Sequence, residues 1–420
     1  MELCIFEDEH YARLDPLVFA RPVYDLLCGT CTLREKISRH FPSATVSLHT
    51  RSSLEAFTRY LNPDISVNEL SSGECIFVNG RLLPDHDLME FIARPHKGNI
   101  VFFCGETVVA ARLHGEVLEK FEEHLKDVIV PAQFDGVERE EVSASFINYA
   151  WDLLTYNADE LLKDTEFFAL RHLGNDEKHV QGKLFEGVHL INKDSIFISE
   201  GAQVKPGVVI DGSKGPVIID RDAHIFPNAV IEGPVYIGQF TLVKTGAWIY
   251  DGSTIGRNCK VGGEIEHAII HPYSNKQHAG FLGNACLGSW VNIGADTNCS
   301  DLKNNYGFIS VRVNGSTIDT KKQYLGLLMG DHSKSAINTM FNTGTVAGFS
   351  CNIFGGDFPP KYLPSFSWGG NSSLVEYDVN KSIETAKRVL LRRNKVMSET
   401  EEQLFHHIFG ITQVERRKRG

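Results

Sequence analysis

A repeat of six residues dominates the middle of this 420-residue chain. Every sixth position from residue 219 to residue 261 carries a β-branched aliphatic side chain: Ile219, Ile225, Ile231, Ile237, Val243, Ile249, Ile255 and Val261. A period of six fits neither the 3.6 residues of a helical turn nor the alternation of a simple strand. It is typical of a parallel β-helix, in which each group of six residues forms one flat side of a coil and directs one aliphatic side chain to the axis.

The distribution of glycine indicates where the chain changes architecture. Residues 1–180 contain eight of the 37 glycines, whereas residues 181–370 contain 27. Glycine suits the corners of a β-helix, where positive φ angles or close packing are required. We therefore predict a first domain at residues 1–180, a β-helix at residues 181–372 and a tail at residues 373–420. The apolar spacing of the tail predicts helices over residues 381–398 and 401–408.

Short apolar runs alternate with helical patterns in the first domain. Residues 3–6, 76–78 and 100–103 have the composition of buried parallel strands. Helices are predicted between them, at residues 33–39 and 54–60, and after them, at residues 115–127. Alternating strands and helices indicate an α/β domain of Rossmann-like type.

Composition excludes several classes of protein. Lys and Arg total 42 against 53 Asp and Glu, and the formal charge of −11 argues against a nucleic-acid partner. No apolar run approaches the ~18 residues of a membrane span, and the acidic start lacks the basic segment of a signal peptide. With nine cysteines, an odd number, these features predict a cytoplasmic protein with free thiols and no membrane partner.

The repeat lapses twice, at residues 262–281 and 296–325. Chemistry in a repetitive scaffold is expected where the repeat is interrupted, because the polar residues there are not needed for coil packing. The two gaps hold these polar side chains: His267, His271, Lys276, His278, Asn298, Asp301, Lys303, Asn304, Asn305 and Tyr306.

Three motifs in this region resemble a known family. They are His278-Ala-Gly-Phe-Leu-Gly283, Val291-Asn-Ile-Gly-Ala-Asp-Thr297 and Asn305-Tyr306. They resemble the acetyltransferase half of the bifunctional N-acetylglucosamine-1-phosphate uridyltransferase / glucosamine-1-phosphate acetyltransferase family. Residues 273–306, 329–334 and 364–370 are still more similar to a divergent bacterial sugar nucleotidyltransferase branch of it, and the resemblance extends over nearly the whole chain.

The resemblance implies a left-handed β-helix that transfers an acetyl group from acetyl-CoA to an amino sugar phosphate, in a homotrimer with the coenzyme between neighbours. It makes His278 the catalytic general base, a role that suits an imidazole. It places the Ala295 amide at the thioester carbonyl. The residues implied to hold the amino sugar phosphate are Lys276, Asn292, Asn305 and Tyr306.

The β-helix motifs also depart from the family pattern. Phe281 stands in place of a tyrosine, Glu266 or His267 in place of a lysine, and Asp296 in place of a glycine. These departures leave two alternatives open: a different amino sugar, or loss of acetyl transfer.

For the first domain, the resemblance implies a nucleotidyltransferase that joins a sugar 1-phosphate to a nucleoside triphosphate with Mg²⁺, UDP-GlcNAc being the default product. The family's glycine loop is replaced by residues 7–17, which retain Arg13 but contain no glycine. Arg13 and Arg21 are therefore the implied phosphate contacts. Asp152, in a Trp-Asp-Leu-Leu segment, is the implied metal ligand, whereas Arg81 stands where a metal-binding carboxylate is expected.

Three alternatives differ in class. Only one of the two halves is active, or the chain is a non-catalytic scaffold that binds nucleotide or coenzyme A without turnover. A minor alternative is a zinc enzyme resembling β-helical carbonic anhydrases, with ligands drawn from His267, His271, His278 and His332. Elemental analysis for zinc would distinguish the last of these.

Overall fold

The first part of the chain forms a seven-stranded mixed sheet in the computed structural model, which describes residues 1–123, 125, 127–172 and 179–417. Its strands are β1 (Glu2–Phe6), β2 (Thr45–His49), β3 (Ser66–Val67), β4 (Glu74–Asn79), β5 (Ile100–Cys104), β6 (Thr107–His114) and β7 (Glu138–Glu141), in the order β7-β5-β6-β4-β1-β2-β3. Only β6 runs antiparallel to its neighbours. The predicted α/β class is confirmed, and the three predicted apolar runs lie in β1, β4 and β5.

Eight helices occur in the described chain: α1 (Leu33–Ser38), α2 (Ser52–Leu61), α3 (His86–Ala93), α4 (Gly115–Glu122), α5 (Ala150–His172), α6 (Val379–Leu391), α7 (Glu399–Ile411) and α8 (Gln413–Arg417). A helix is present at each predicted position of the first domain and the tail, but the one predicted over residues 381–398 ends at Leu391. Helix α1 begins with a reciprocal capping box between Thr32 and Glu35. The helix predicted over residues 115–127 ends at Glu122, and residues 124 and 126 lie outside the described residues.

A three-sided parallel β-helix follows. Face A contains Lys183–Leu184, Gln203–Val204, His224–Ile225, Leu242–Val243, Lys260–Val261, Asn275–Lys276, Lys334–Ser335, Asn352–Ile353, Ser367–Gly369 and the antiparallel Leu374–Glu376. Face B contains His189–Ile191, Val209–Asp211, Val230–Glu232, Trp248–Ile249, Glu264–Glu266, Phe281–Gly283, Asn298–Cys299 and Met340–Phe341. Face C contains Ile196–Ile198, Val217–Ile219, Val235–Ile237, Ser253–Ile255, Ile269–Ile270, Cys286–Leu287, Leu328–Met329, Val346–Ala347 and Tyr362–Leu363.

The aliphatic side chains of the six-residue repeat form the core of the coil. Ile237 stacks on Ile255 and Val243 on Val261 in register, eighteen residues apart. The next coil is shorter, because Ile255 pairs with Ile270 and Val261 with Lys276, fifteen residues apart. The repeat therefore lapses in the sequence at this point while the coil itself continues.

The first domain packs against face C. One hydrophobic cluster joins residues of the first domain, such as Ile5 of β1 and Trp151 of α5, to Ile269 and Cys286 of face C. Asn157 of α5 donates from Nδ2 to the carbonyl of Gly252 (2.8 Å). An insertion at residues 302–324 carries a hairpin (Ser310–Val313 with Ser316–Asp319) that joins the same cluster, and Asn314 donates to the carbonyl of Ala12.

The tail helices pack across face A and the neighbouring corner. Leu390 of α6 and Phe405 of α7 form a buried cluster with Phe349 and Phe366 of the coil and Leu54 of α2. None of the described helices is long and apolar enough to cross a bilayer. All nine cysteines are free thiols. The division at residue 180 stays a prediction, because residues 173–178 beside it lie outside the described residues.

Candidate active site

Two of the motif residues meet at one corner of the β-helix. Faces A and B join at residues 277–280 and, one coil later, at residues 294–297, because Asn275 pairs with Asn292. The Asp296 amide donates to the carbonyl of Ala279 across these coils (3.1 Å). His278 is exposed at this corner and Ala295 occupies the matching place one coil later. The structure thus makes the predicted base and the predicted thioester contact neighbours, while their roles stay predictions.

The backbone of Ala295 leaves one donor available at the corner. Its carbonyl accepts a hydrogen bond from the Asn338 amide (2.8 Å). Its own N–H has no acceptor among the residues that the structure describes. An unpaired amide on a partly exposed corner is a group that a carbonyl oxygen of a ligand would satisfy.

Lys276 does not lie on the surface. It occupies the core position below Val261, is 1% exposed, and donates from Nζ to the carbonyls of Gly262 and His278 (both 2.9 Å). Burial lowers the pKa of its ammonium group to about 8. The predicted phosphate contact of Lys276 is therefore replaced by a structural role, in which its amine ties the A–B corner to the preceding coil.

Asn292 points outward from face A into a cavity of about 320 Å³ between face A and the end of α6. Its Oδ1 accepts a hydrogen bond from Nδ2 of Asn275 (3.4 Å). The cavity is lined by Lys260, Tyr273, Asn275, Gln277, Trp290, Asn292, Lys334, Val389, Arg392 and Arg393. Since Gln277 precedes His278, the cavity adjoins the corner that carries the predicted base.

Asn305 and Tyr306 are not brought to this corner. They lie in the insertion that leaves the chain after Asn298–Cys299 of face B and before Leu328–Met329 of face C. Both are exposed, Tyr306 by 67%. Face B therefore separates them from His278 within one chain, so a site that uses all three residues requires a second copy.

Two buried ion pairs close the carboxyl edge of the first domain's sheet, where a nucleotide is expected. Glu7, after β1, accepts from Nη1 of Arg51, after β2 (2.6 Å). Asp8 accepts from Nε (2.8 Å) and Nη2 (2.5 Å) of Arg81, which follows β4 and is fully buried. Burial acts to raise the pKa of Asp8, but the hydrogen bonds and charge of Arg81 lower it below its usual value. Each carboxylate is thus satisfied by an arginine.

The residues near Asp152 do not fit the implied Mg²⁺. Oδ2 of Asp152 accepts from the amides of Asn148 and Tyr149 (both 2.9 Å) and so closes the first turn of α5. Arg81 donates to the side chain of Asn148 (2.8 Å), and the backbone amide of Asn148 donates to Asp152. The guanidinium therefore lies near this carboxylate. A metal there would face a fixed positive charge. Among the described residues, no three His, Cys, Asp or Glu side chains group as metal ligands.

The two predicted phosphate contacts differ in placement. The Arg21 guanidinium donates to Asp331 and lies 2.8 Å from Nδ1 of His271, so it joins the first domain to the β-helix. This pairing corrects the predicted phosphate contact of Arg21, because both donating nitrogens already have partners in the coil. Arg13 is half-buried, and its side chain has no partner within the described part of the chain. Arg13 alone of the two remains available to a ligand.

The histidines proposed for a zinc site are dispersed. His271 is buried against Arg21, and His332 is buried against the ring of Phe405 (4.9 Å). Burial lowers the pKa of both imidazoles well below the usual value. His278 is exposed at the A–B corner and His267 lies near Asp251 (3.8 Å). No described set of them can surround one ion.

Sequence reasoning missed the charged wall of the cavity under α6. Lys260 and Lys334 are outward residues of face A, and Arg392 and Arg393 follow α6. The one available signal was positional: Lys260 directly precedes a core residue of the six-residue repeat, so it had to face outward.

Comparison with known proteins finds a family match for the first domain. Residues 3–172 match the family described as sugar nucleotidyl transferase. A bifunctional protein GlmU from Nostoc sp. is 30% identical over 134 residues, which are 27% of this chain and 30% of that protein. A bifunctional sugar-1-phosphate nucleotidylyltransferase/acetyltransferase from Sulfurisphaera tokodaii is 30% identical over 145 residues, 34% of this chain and 36% of that protein.

The matched segments are partial. The chain spans about a third of the length of these two relatives. Among solved structures, LpxA from Acinetobacter baumannii overlaps 50% of this chain and 78% of its own, with 11% identity and a TM-score of 0.23. The chain therefore resembles the bifunctional GlmU proteins, and its residues 3–172 match the sugar nucleotidyl transferase family.

Proposed function

We propose that this chain is a transferase of sugar-nucleotide metabolism whose β-helix transfers an acetyl group from acetyl-CoA to an amino sugar phosphate. The observation that carries the proposal is the A–B corner, where the exposed His278 lies one coil from the unpaired Ala295 amide. The adjoining cavity offers the side-chain amide of Asn292 to the substrate. Acetyl-CoA and nucleotides are cytoplasmic metabolites, so we place the protein in the cytoplasm.

The corner supplies the groups that acetyl transfer needs. His278 would take a proton from the substrate amine as its nitrogen attacks the thioester carbonyl. The developing oxyanion would accept a hydrogen bond from the Ala295 amide. The carbon–sulfur bond then breaks, and the coenzyme thiolate leaves with the proton returned by His278. Phe281 adds an apolar ring at this corner in place of a hydroxyl.

Nucleotidyl transfer between a nucleoside triphosphate and a sugar 1-phosphate is the second candidate function, with UDP-GlcNAc as the default product. The family match over residues 3–172 favours it. Arg13, whose side chain is free within the described chain, is the candidate triphosphate contact. Arg81 pairs with Asp8 at the expected metal position, so the residues there do not offer Mg²⁺ a site.

The test is a mass-spectrometric assay of the full chain with acetyl-CoA and a panel of amino sugar phosphates, with and without nucleoside triphosphates. His278→Asn is expected to lower acetyl transfer by about 10²-fold or more, as for loss of a general base. His189→Asn is the matched control, because His189 is an exposed histidine of face B far along the coil. Acetyl transfer that survives His278→Asn would contradict the proposal.

We further propose a homotrimer in which His278 of one copy works with Asn305 and Tyr306 of the next. The separation of these residues by face B supports this arrangement. Native mass spectrometry measures the assembly. Co-assembly of inactive His278→Asn chains with inactive Tyr306→Ala chains is expected to restore part of the activity, because some mixed sites contain both native residues. Mixtures without recovery would contradict a shared site.

A further inference from the structure

The cavity under α6 has one wall built from a ladder of outward side chains. In successive coils of face A, Lys260 pairs with Asn275, Asn275 with Asn292, and Asn292 with Lys334. Since neighbouring strands lie about 4.8 Å apart, the backbones of the two lysines are roughly 14 Å apart. The ladder thus places one cation at each end of a pair of amides.

The opposite wall comes from the end of α6. Arg392 and Arg393 follow its last residue, Leu391, and both line the cavity. Arg393 donates from Nη2 to Oδ1 of Asn275 (2.9 Å), which fixes this end of the tail to the ladder. The cavity is therefore enclosed by two elements about 120 residues apart in the chain.

The positive charges around the cavity have only neutral partners within the described chain: Nζ of Lys334 donates to the carbonyl of His332 (2.7 Å), and Arg393 donates to Asn275. No carboxylate lines it, and none of the ion pairs within the described residues involves its four cations: Lys260, Lys334, Arg392 and Arg393. Burial, followed by the charges of Arg393 and Arg392, lowers the pKa of Lys260. Burial lowers the pKa of Lys334 to about 8. The four cations repel one another, and a bound anion would offset that repulsion.

The remaining lining suits an organic ligand. Tyr273 and Trp290 stack on each other with ring centroids 4.3 Å apart and form a flat, half-buried side of the cavity. The amides of Gln277 and Asn292 provide donors and acceptors for hydroxyl groups or heterocycle edges. A volume of about 320 Å³ lies within the usual range for small-molecule sites.

We propose that this cavity is a binding site for an organic diphosphate, the chemistry shared by nucleoside diphosphates and by coenzyme A. One end of the phosphate chain would lie among Lys260, Arg392 and Arg393, and the other would extend along the ladder to Lys334. The site shares Asn292 with the proposed acetyl-transfer site. The two proposals can be tested separately, because ligand binding is measured without turnover.

The test is isothermal titration calorimetry of the full chain with UDP, coenzyme A and inorganic pyrophosphate as separate probes. We expect at least one organic probe to bind with a Kd below about 1 mM and more weakly at higher ionic strength. Lys260→Gln combined with Arg392→Gln should weaken binding about tenfold or more. Neither side chain has a stabilising partner within the described chain, so this variant should fold.

Arg388→Gln is the matched control, because Arg388 is an exposed arginine of α6 paired with Glu384 outside the cavity. Its affinity should stay within about twofold of the wild type. Binding of UDP alone would identify a nucleoside diphosphate as the ligand. Binding of coenzyme A alone would identify the coenzyme as the ligand. No binding by either, or equal binding by the double variant and the wild type, would overturn the proposal. Loss of acetyl transfer in His278→Asn with binding retained separates the two sites.

Discussion

Arg81 and Asp8 form a buried, bidentate ion pair at the carboxyl edge of the first domain's sheet. The guanidinium also donates to the carbonyl of Ile147 and to the side chain of Asn148. An arginine thereby holds together the ends of β1 and β4 and the approach to α5. Residues 3–172 match the sugar nucleotidyl transferase family, yet a fixed guanidinium lies where the resemblance implies a metal-binding carboxylate.

Removing the cation of this pair is expected to destabilise the protein strongly. Arg81→Met should lower the free energy of unfolding by about 3–5 kcal/mol, because it leaves Asp8 buried and uncompensated. Asp8→Asn in the same background should restore part of the loss. Urea denaturation followed by tryptophan fluorescence measures both effects. A double variant no more stable than Arg81→Met would show that the charge of Asp8 is not the cause.

The interior position of Lys276 predicts a stability that rises with pH. Burial lowers its pKa to about 8 from 10.5, so between these values the unfolded chain binds more protons than the folded one. The contribution of Lys276 to stability should increase by up to about 1.4 kcal/mol per pH unit in this range. Other groups titrate there too, so the measured quantity is the difference between wild type and Lys276→Met from pH 8 to 10. A difference independent of pH would contradict the burial of the ammonium.

Glu401, at the start of α7, predicts the opposite trend at lower pH. Its pKa is raised from 4.5 to about 7, mainly by burial; the hydrogen bond from the Ser398 segment opposes the rise and the charge of Asp331 adds to it. His332 lies 4.0 Å from Glu401, with its own pKa lowered by burial. The folded chain therefore holds the proton of Glu401 more tightly, and stability is lost as pH rises from 4.5 to 7.

Relative to Glu401→Gln, the wild type should lose up to about 3 kcal/mol between pH 5 and 7.5. Chemical denaturation at each pH gives this difference directly. Glu399→Gln is the control, because Glu399 is exposed in the same first turn. If Glu399→Gln changes the pH profile as much as Glu401→Gln does, the burial of Glu401 is not responsible.

The contact between Arg21 and Asp331 predicts a coupling between the two domains. Burial raises the pKa of Asp331, and the charge of Arg21 opposes this rise. Arg21→Met should therefore destabilise the protein by about 3–5 kcal/mol, and Arg21→Met with Asp331→Asn should cost less. Limited proteolysis of both variants should show earlier cleavage between the domains in the single variant. Identical digestion of the single and double variants would exclude a role for the unpaired carboxylate.

The β-helix and the α/β sheet were predictable because both rest on local periodicity. Eight aliphatic residues at intervals of six indicate a coil whatever surrounds them, and the apolar runs of β1, β4 and β5 indicate buried strands. The antiparallel strand β6 was not predicted, since its pairing with β4 and β5 depends on non-local contacts.

The site residues were harder to predict because their surroundings are set by register and by distant segments. Lys276 lies in the core because its coil is three residues shorter than the coil before it, and a polar residue in a lapsed repeat gave no sign of this. Arg21 meets a partner 310 residues away. His278 and Ala295 occupy matching places in adjacent coils. These two residues are therefore neighbours, as the motif implied.

The pairing of Arg21 with Asp331 also sets an order of events during synthesis. About 160 residues separate the end of α5 from Asp331, and at about 5–20 residues per second they take roughly 8–32 s to emerge from a ribosome. Throughout that interval the segment around Arg21 lacks its carboxylate partner and the coil surface that covers it. The α/β domain therefore leaves the ribosome before the β-helix does, but its contact with the β-helix is completed only after the coils around Asp331 have formed.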